Sequence, residues 1–229
     1  MQIEVKNIYC GKEQTINDGK REAYHSSYQK TPQNLTTYEV DENGFLLDHQ
    51  SDKESHGGVD KAICVFSLDD YSYLENKFDI SLPACAFGEN LNILGADDSD
   101  ICLGDQFAYG ELIVEVSQPR QPCWKISSII GIKKLTAMIV KENKTGFYLR
   151  VLQGGNVSPN DKLELLSRDY PKFSIEFINQ ISFNAKSNQE NIKEVLGCDK
   201  LSEGYRVSLQ HRYKEKEVGL QEWQYDEYQ

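Results

Sequence analysis

The stretch Glu115 to Ile126, EVSQPRQPCWKI, sets a guanidinium and a thiol among two prolines, and these residue types can do chemistry together. A strand-like run, Leu112 to Val116, ends at Pro119, and Pro122 follows three residues later. Prolines this close bar the helical basin and fix an extended backbone path. On such a path Cys123 lies near Arg120, which gives the thiol a route to a lowered pKa and to a thiolate able to bind a soft metal. An isolated Cys beside a strand can equally be a small buried hydrophobe, and these residues alone leave both readings open. Arg120 is open in the same way, either as a surface charge or as a bidentate partner for an anion.

The elements that must position these groups read as mostly β with a helical tail. Apolar, β-branched runs recur at Ala62–Phe66, Leu91–Leu94, Leu112–Val116, Phe147–Leu152 and Leu163–Leu166. Asn-Gly at 43–44, Gly-Gly at 57–58 and 154–155, and Gly-Asp at 104–105 punctuate them, the pattern of a barrel or sandwich. Ser127 to Val140 predicts one short helix inside this part. Beyond Arg168 the period changes. Ile175, Ile178 and Ile181 share a helical face, and Ser187 with Glu190 predicts a capping box for a second helix closed by Gly197. Leu201, Tyr205, Leu209 and Tyr213 mark a third. The expected division is residues 1–166 as a β-barrel and 167–229 as a small three-helix domain, with a poorly ordered end after Lys214.

Composition narrows the partners. The 229 residues carry 25 Lys and Arg against 36 Asp and Glu, a net charge of −11. This disfavours duplex nucleic acid and anionic membrane as partners. The charge is uneven: residues 61–110 hold two Lys and no Arg against nine acids, whereas residues 111–150 hold seven Lys or Arg against three. The thiol therefore lies in the basic stretch, where a small anion would be drawn. Six cysteines without CxxC or CxxH spacing argue against zinc, and the lack of a signal-peptide core in Met1–Cys10 predicts reduced thiols in a cytoplasmic protein. Cys64, Cys85 and Cys102 are expected to pack in the core. No Rossmann glycine motif, haem CxxCH or iron–sulfur spacing occurs, so no nicotinamide, haem or iron–sulfur site is expected.

Several separated blocks resemble the MOSC domain family, named after the C-terminal part of molybdenum cofactor sulfurase, in the family's order. Ser26 to Pro32 (SSYQKTP) looks like its Ser-Lys-Pro segment. Gly44 to Gly58 (GFLLDHQSDKESHGG), with Asp60 and Lys61, looks like its Asp-rich strand exit and HGG turn, although Leu47 stands where the family usually has glycine. Phe87 to Leu91 is similar to its FGENL element, Gly104-Asp105 to its GD turn, and Glu115 to Ile126 to its Cys signature. Gly146 to Leu152 (GFYLRVL) and the residues beyond it resemble the YiiM-like subgroup, which adds the three-helix domain.

The resemblance implies a MOSC-type β-barrel that binds a molybdenum–pterin cofactor, with Cys123 as molybdenum ligand. Arg120, Lys30 and the hydroxyls of Ser26 and Ser27 are then candidates for its phosphate. His56, Gly57, Gly58 and Lys61 would line the pocket, and Asp48, Asp60 or His56 could deliver protons. Glu89 and Asn90 would either face the pterin or simply hold a turn. The implied reaction is reduction of N-hydroxylated base analogues or hydroxylamines, a detoxification fed by a separate electron-donor reductase. Two alternatives are a sulfur carrier with a persulfide on Cys123 and a non-catalytic carrier of the cofactor.

Overall fold

The computed structural model describes residues 1–17, 22–51 and 57–215. Asp52, His56 and the tail after residue 215 lie outside the described residues.

Seven strands form the barrel: β1 (Gln2–Cys10), β2 (Ile63–Ser67), β3 (Leu91–Leu94), β4 (Gln106–Tyr109), β5 (Leu112–Pro119), β6 (Phe147–Gln153) and β7 (Lys162–Ser167). Their order is β7-β4-β5-β6-β2-β3-β1, and β1 pairs back onto β7 through Gln2–Glu164, Ile3–Leu163 and Glu4–Lys162. Closure removes the exposed edges that an open sheet of this size would carry. All neighbours are antiparallel except β2 and β3, which run parallel and therefore need a crossover. Helix α1 (Leu68–Phe78) supplies it, capped by Ser67, whose hydroxyl accepts the Asp69 N–H at 3.1 Å. A small sheet of Tyr38–Asp41, Gly44–Phe45 and Gly155–Val157 and a hairpin of Gln14–Ile16 with Tyr24–Ser26 lie outside the barrel order.

The alternation of side chains along each strand separates core from site. Ile63, Val65, Leu91, Ile93, Val114, Val116, Phe147 and Leu149 fill the barrel. The intervening positions face outward, and several are covered. Phe66 sits with Tyr71, Leu74, Phe87 and Ile139 in a second apolar cluster around α1. Every residue of β2 is buried because both its faces are covered, as expected of a strand with a parallel neighbour and a packed helix.

Two sequence expectations are corrected and one helix is added. The segment 127–140 is two helices, α2 (Lys125–Ile130) and α3 (Leu135–Lys141), because Gly131 ends the first in the left-handed region at φ 77°. Helix α1 was not anticipated. The capping box does not form: α5 (Gln189–Leu196) is preceded by Asn188 with no side-chain cap, and Ser187 ends a separate 3-10 turn, while Gly197 does follow the helix. The stripes of α4 (Ile175–Phe183) and α6 (Glu203–Glu215) hold: Ile178, Ile181, Tyr205 and Leu209 share one apolar cluster with Val195 of α5 and with Leu103 of the turn before β4. Gly104-Asp105 is a turn as expected, and buried Asp105 receives Arg168 Nε at 2.8 Å and Nη2 at 2.6 Å, tying the helical segment to the barrel.

Candidate functional site

A pocket with about 620 Å³ of atom-free space, open in part to solvent, lies on the outer face of β2 and β6, beside the segment that leads into β3. Period-two alternation builds its floor. Cys64 and Tyr148 are register partners on adjacent strands, out of phase with the core positions, and Asn90 lies beside them. The end of β5 delivers Arg120 and then Cys123 to one wall, and Lys125 enters from α2. Ser26, Ser27, Tyr28, Lys30, Asp48 and Lys61 line the rest of it.

Arg120 is 6 % exposed. Its backbone N–H bonds Gly146 O at 2.9 Å and its Nη2 donates to Phe87 O at 2.6 Å. Nη1 is buried with no hydrogen-bond partner among the described residues. Burial opposes the guanidinium charge, and the groups around it, Cys64, Tyr148 and Tyr28, are held neutral by the same burial. A buried guanidinium with a spare donor calls for an anion. Cys123 is half-buried, and the other five thiols are buried. Its carbonyl accepts Thr136 Oγ1 at 3.2 Å from α3 and the Ile126 N–H at 3.2 Å, which fixes the thiol-bearing turn.

Asp48 is held by three donors. Its Oδ1 accepts the Gly11 N–H at 2.8 Å; its Oδ2 accepts Lys30 Nζ at 2.6 Å and Asn90 Nδ2 at 2.8 Å. Asn90 also accepts the Cys64 N–H at 3.0 Å through Oδ1 and donates to Tyr9 O at 3.2 Å. These bonds make Asp48 and Asn90 a brace that locks Lys30 against the barrel. Gly88 has φ 68°, and a Cβ there would meet the Tyr28 ring at 3.0 Å, so glycine is required for Tyr28 to close its wall. The Tyr28 hydroxyl donates to Ala86 O at 2.6 Å.

Of the residues singled out from sequence, Ser26, Ser27, Lys30, Asp48, Lys61, Asn90, Arg120 and Cys123 meet in this pocket. Glu89 does not line it. That carboxylate is buried behind it, accepting from Tyr71 Oη at 2.6 Å, Asn92 Nδ2 at 2.7 Å and the Phe87 N–H at 3.0 Å. Asp60 is also outside the lining, paired with Arg150 at 2.9 Å. Gly57 and Gly58 stand back from it, and the Gly58 N–H bonds the side chain of Gln50, itself a lining residue. His56 lies outside the described residues. Sequence reasoning missed Cys64, Tyr28, Tyr148 and Lys125. Cys64, expected in the core, turns toward the pocket while its neighbours Ile63 and Val65 turn inward. The alternation within its strand carried that signal.

Two structures brace the wall from behind. Ser202 Oγ donates to Gln118 Oε1 at 2.6 Å, and Gln121 Nε2 donates to Ser208 Oγ at 2.9 Å, so the C-terminal helices grip the approach to Cys123. Asp98 accepts the N–H groups of Thr145 at 2.8 Å and Gly146 at 3.0 Å, next to the Gly146 carbonyl that anchors Arg120. Lys144 bonds Asp70 there. Burial pushes the Asp70 carboxyl up to about 6, with Lys144 offsetting only part of it. Burial, then the Asp70 charge, hold Asp98 well above the usual carboxylate range.

Among the described residues no cluster of three His, Cys, Asp or Glu groups could hold a bare metal ion. The lining instead offers one accessible thiol, an unpartnered guanidinium donor and the cations Lys30, Lys61 and Lys125, against one carboxylate that Lys30 and Asn90 engage. This donor set fits a metal that arrives on its own anionic organic ligand and takes a single protein thiolate.

Fold and pocket together define a closed β-barrel with an externally placed, cation-lined thiol site. The chain belongs to the MOSC domain family, in its YiiM-like branch; the MOSC domain model matches residues 52–164. It is 39% identical over 206 residues to the uncharacterized protein YflK of Bacillus subtilis (strain 168), covering 90% of this chain and 92% of that one. The crystal structure of YiiM from Geobacillus stearothermophilus is similar at 33% identity and a TM-score of 0.76, covering 92% of this chain and 99% of that one. A Gibberella moniliformis (strain M3125 / FGSC 7600) protein named "Reductase" is 33% identical over 136 residues, 58% of this chain and 24% of its own length. MOSC domains are associated with the molybdenum cofactor. No helix among the described residues is long and apolar enough to cross a membrane.

Proposed function

We propose that this pocket binds a molybdenum–pterin cofactor through the Cys123 thiolate and that the loaded protein reduces N-hydroxylated compounds, such as N-hydroxylated purine analogues, to amines. The observation that carries this reading is the buried, unpartnered Nη1 of Arg120 in the same pocket as the accessible thiol. Arg120 and Lys30, with the Ser26 and Ser27 hydroxyls, would receive the cofactor phosphate. Thr136 keeps the Cys123 backbone in place. A bound molybdenum centre supplies the two-electron redox chemistry that no side chain provides. In the net reaction the N-hydroxyl compound takes up two electrons and two protons, its N–O bond breaks, and amine and water leave. Asp48 is occupied by three donors and Asp60 by Arg150, so neither is placed to hand over a proton in this reading. The Tyr148 phenol, which burial keeps protonated, faces the pocket and takes that role. A separate donor supplies the electrons, and a detoxifying role in the cytoplasm accords with the substrate class. The similarity to a protein named "Reductase" supports the same direction.

The test is molybdenum content and N-hydroxylaminopurine reduction, with a chemical electron donor, in protein from a host that makes the cofactor. Wild type should carry near-stoichiometric metal and be active, and Cys123→Ala should lose both. Metal absent from wild type, in a host that loads a control enzyme, sinks the reading. A persulfide on Cys123 by intact mass would then favour the sulfur-carrier alternative, for which this thiol's accessibility also speaks.

A further inference from the structure

Between Glu115 and Glu142 the chain carries Arg120, Lys125, Lys133, Lys134 and Lys141 and no carboxylate, in a protein that has 36 of them. This acid-free stretch folds into the α2–α3 hairpin. The Ser127 hydroxyl pairs with that of Thr136 at 2.9 Å, and Thr136 in turn holds the Cys123 carbonyl. Lys125 reaches the pocket. At the far end, Lys133 is exposed and Lys134 half-exposed on the bend after Gly131. Among the described residues neither lysine has an ion-pair partner. In sequence Ile129, Ile130 and Ile132 lie between Lys125 and Lys133; all three are half-buried, and Ile130 and Ile132 pack against the apolar cluster around α1, which seats the hairpin on the barrel. What the hairpin offers a partner is therefore charge, the kind of contact that governs the rate and specificity of a transient encounter.

We propose that this hairpin is where an acidic electron-transfer protein docks to feed the pocket, an inference that rests on the reductase reading. The charge distribution selects the occupant. A net charge of −11 repels an acidic partner from an acidic surface, and a face whose chain segment bears lysines and no carboxylate offers it an attractive approach. The same net charge disfavours a long polyanion, whose flanks would meet carboxylates. Position agrees with charge, because the hairpin bonds directly to the backbone of Cys123, so a partner seated there lies next to the thiol turn.

The probe is a purified acidic flavodoxin, reduced by its NADPH-dependent flavoprotein reductase. Wild type, Lys133→Glu and the double variant Lys133→Glu/Lys134→Glu are compared as purified from a cofactor-competent host; neither lysine lines the pocket. Carbodiimide cross-linking, which joins lysine amines to carboxylates, is mapped by mass spectrometry, and affinity is measured by calorimetry at low and physiological salt. Cross-links on Lys133 or Lys134, salt-sensitive binding, and affinity and flavodoxin-driven turnover each down about tenfold or more in the double variant would support docking here. Viologen-driven turnover should not change. Cross-links confined to other faces, or unchanged affinity in both variants, overturn the proposal. So does a surface that binds anionic vesicles or RNA through the same lysines and ignores flavodoxin. An inert wild type with viologen refutes the reductase reading by itself, because the binding measurements need no turnover.

Discussion

Replacing Asp48 by Asn separates a structural brace from a proton donor. The carboxylate accepts Gly11 N–H, Lys30 Nζ and Asn90 Nδ2, and the side chains of Lys30 and Asp48 are 9 % and 6 % exposed. An Asn side chain keeps one acceptor oxygen and turns an amide donor toward one of these three donors. It also strands the Lys30 ammonium without its counter-charge. Removing one partner of a fully buried pair costs about 3–5 kcal/mol. The pocket lets water reach Lys30, which brings the expected loss to about 2–3 kcal/mol. For a chain of this size that lowers Tm by about 4–12 °C. The assay is urea unfolding of cofactor-free protein at neutral pH for wild type, Asp48→Asn, Lys30→Met and the double variant. The cycle should return a coupling of about 1–3 kcal/mol between the two positions. A loss below about 0.5 kcal/mol, with additive single effects, would refute the brace. Normal stability with turnover alone abolished would instead restore Asp48 as a proton donor.

Other consequences arise from the same geometry. Gly88→Ala forces a Cβ against the Tyr28 ring at a positive φ and should cost about 1–3 kcal/mol, read by thermal melting; an unchanged Tm would show that Tyr28 yields freely. Asp98 and Asp70 have folded-state pKa values raised above the usual carboxylate value, so the folded chain binds protons that the unfolded chain has already released. Their contribution is fully present below the unfolded carboxylate range and is lost as pH rises through the folded values, for Asp70 about 6. Denaturant midpoints should therefore fall more steeply with rising pH in wild type than in Asp98→Asn, and equal slopes would show that Asp98 is ionised like an ordinary carboxylate. Arg168→Ala leaves buried Asp105 with only the Cys102 N–H at 2.8 Å and should cost about 2–4 kcal/mol in chemical unfolding; a near-neutral result would mean that the helical segment needs no such tie. Tyr148→Phe should retain molybdenum and lower N-hydroxylaminopurine turnover about tenfold or more. Full activity at every pH would remove Tyr148 as proton donor.

The strands were legible because their signal is local. Ile63, Leu91, Val114, Phe147 and Leu163 sit in apolar, β-branched runs between turn residues, and all five became barrel core. Arg120 and Cys123 stood out through the prolines around them, which restrict the backbone without help from the rest of the fold. Helix α1 carried a stripe at Leu68, Tyr71, Leu74 and Phe78, but it begins at once after a strand and bears Asp70 on its buried side. That carboxylate is tolerated because Lys144, distant in sequence, reaches it. The capping box failed because the 3-10 turn Ala185–Ser187 shifts the start of α5 by one residue, a choice made by packing.

The sequence by itself determined which groups could do chemistry and that a barrel precedes a helical segment, since residue type, proline restriction and period are properties of neighbouring positions. Only the tertiary structure decided which of those groups share a pocket. Strand pairing set Cys64 beside Tyr148, barrel closure fixed the frame on which Asp48 and Asn90 clamp Lys30, and the α2–α3 hairpin set Lys125 in the pocket and the Thr136 hydroxyl on the turn that carries Cys123. Each of these depends on contacts between residues far apart in the chain, whose geometry exists only once the barrel has closed.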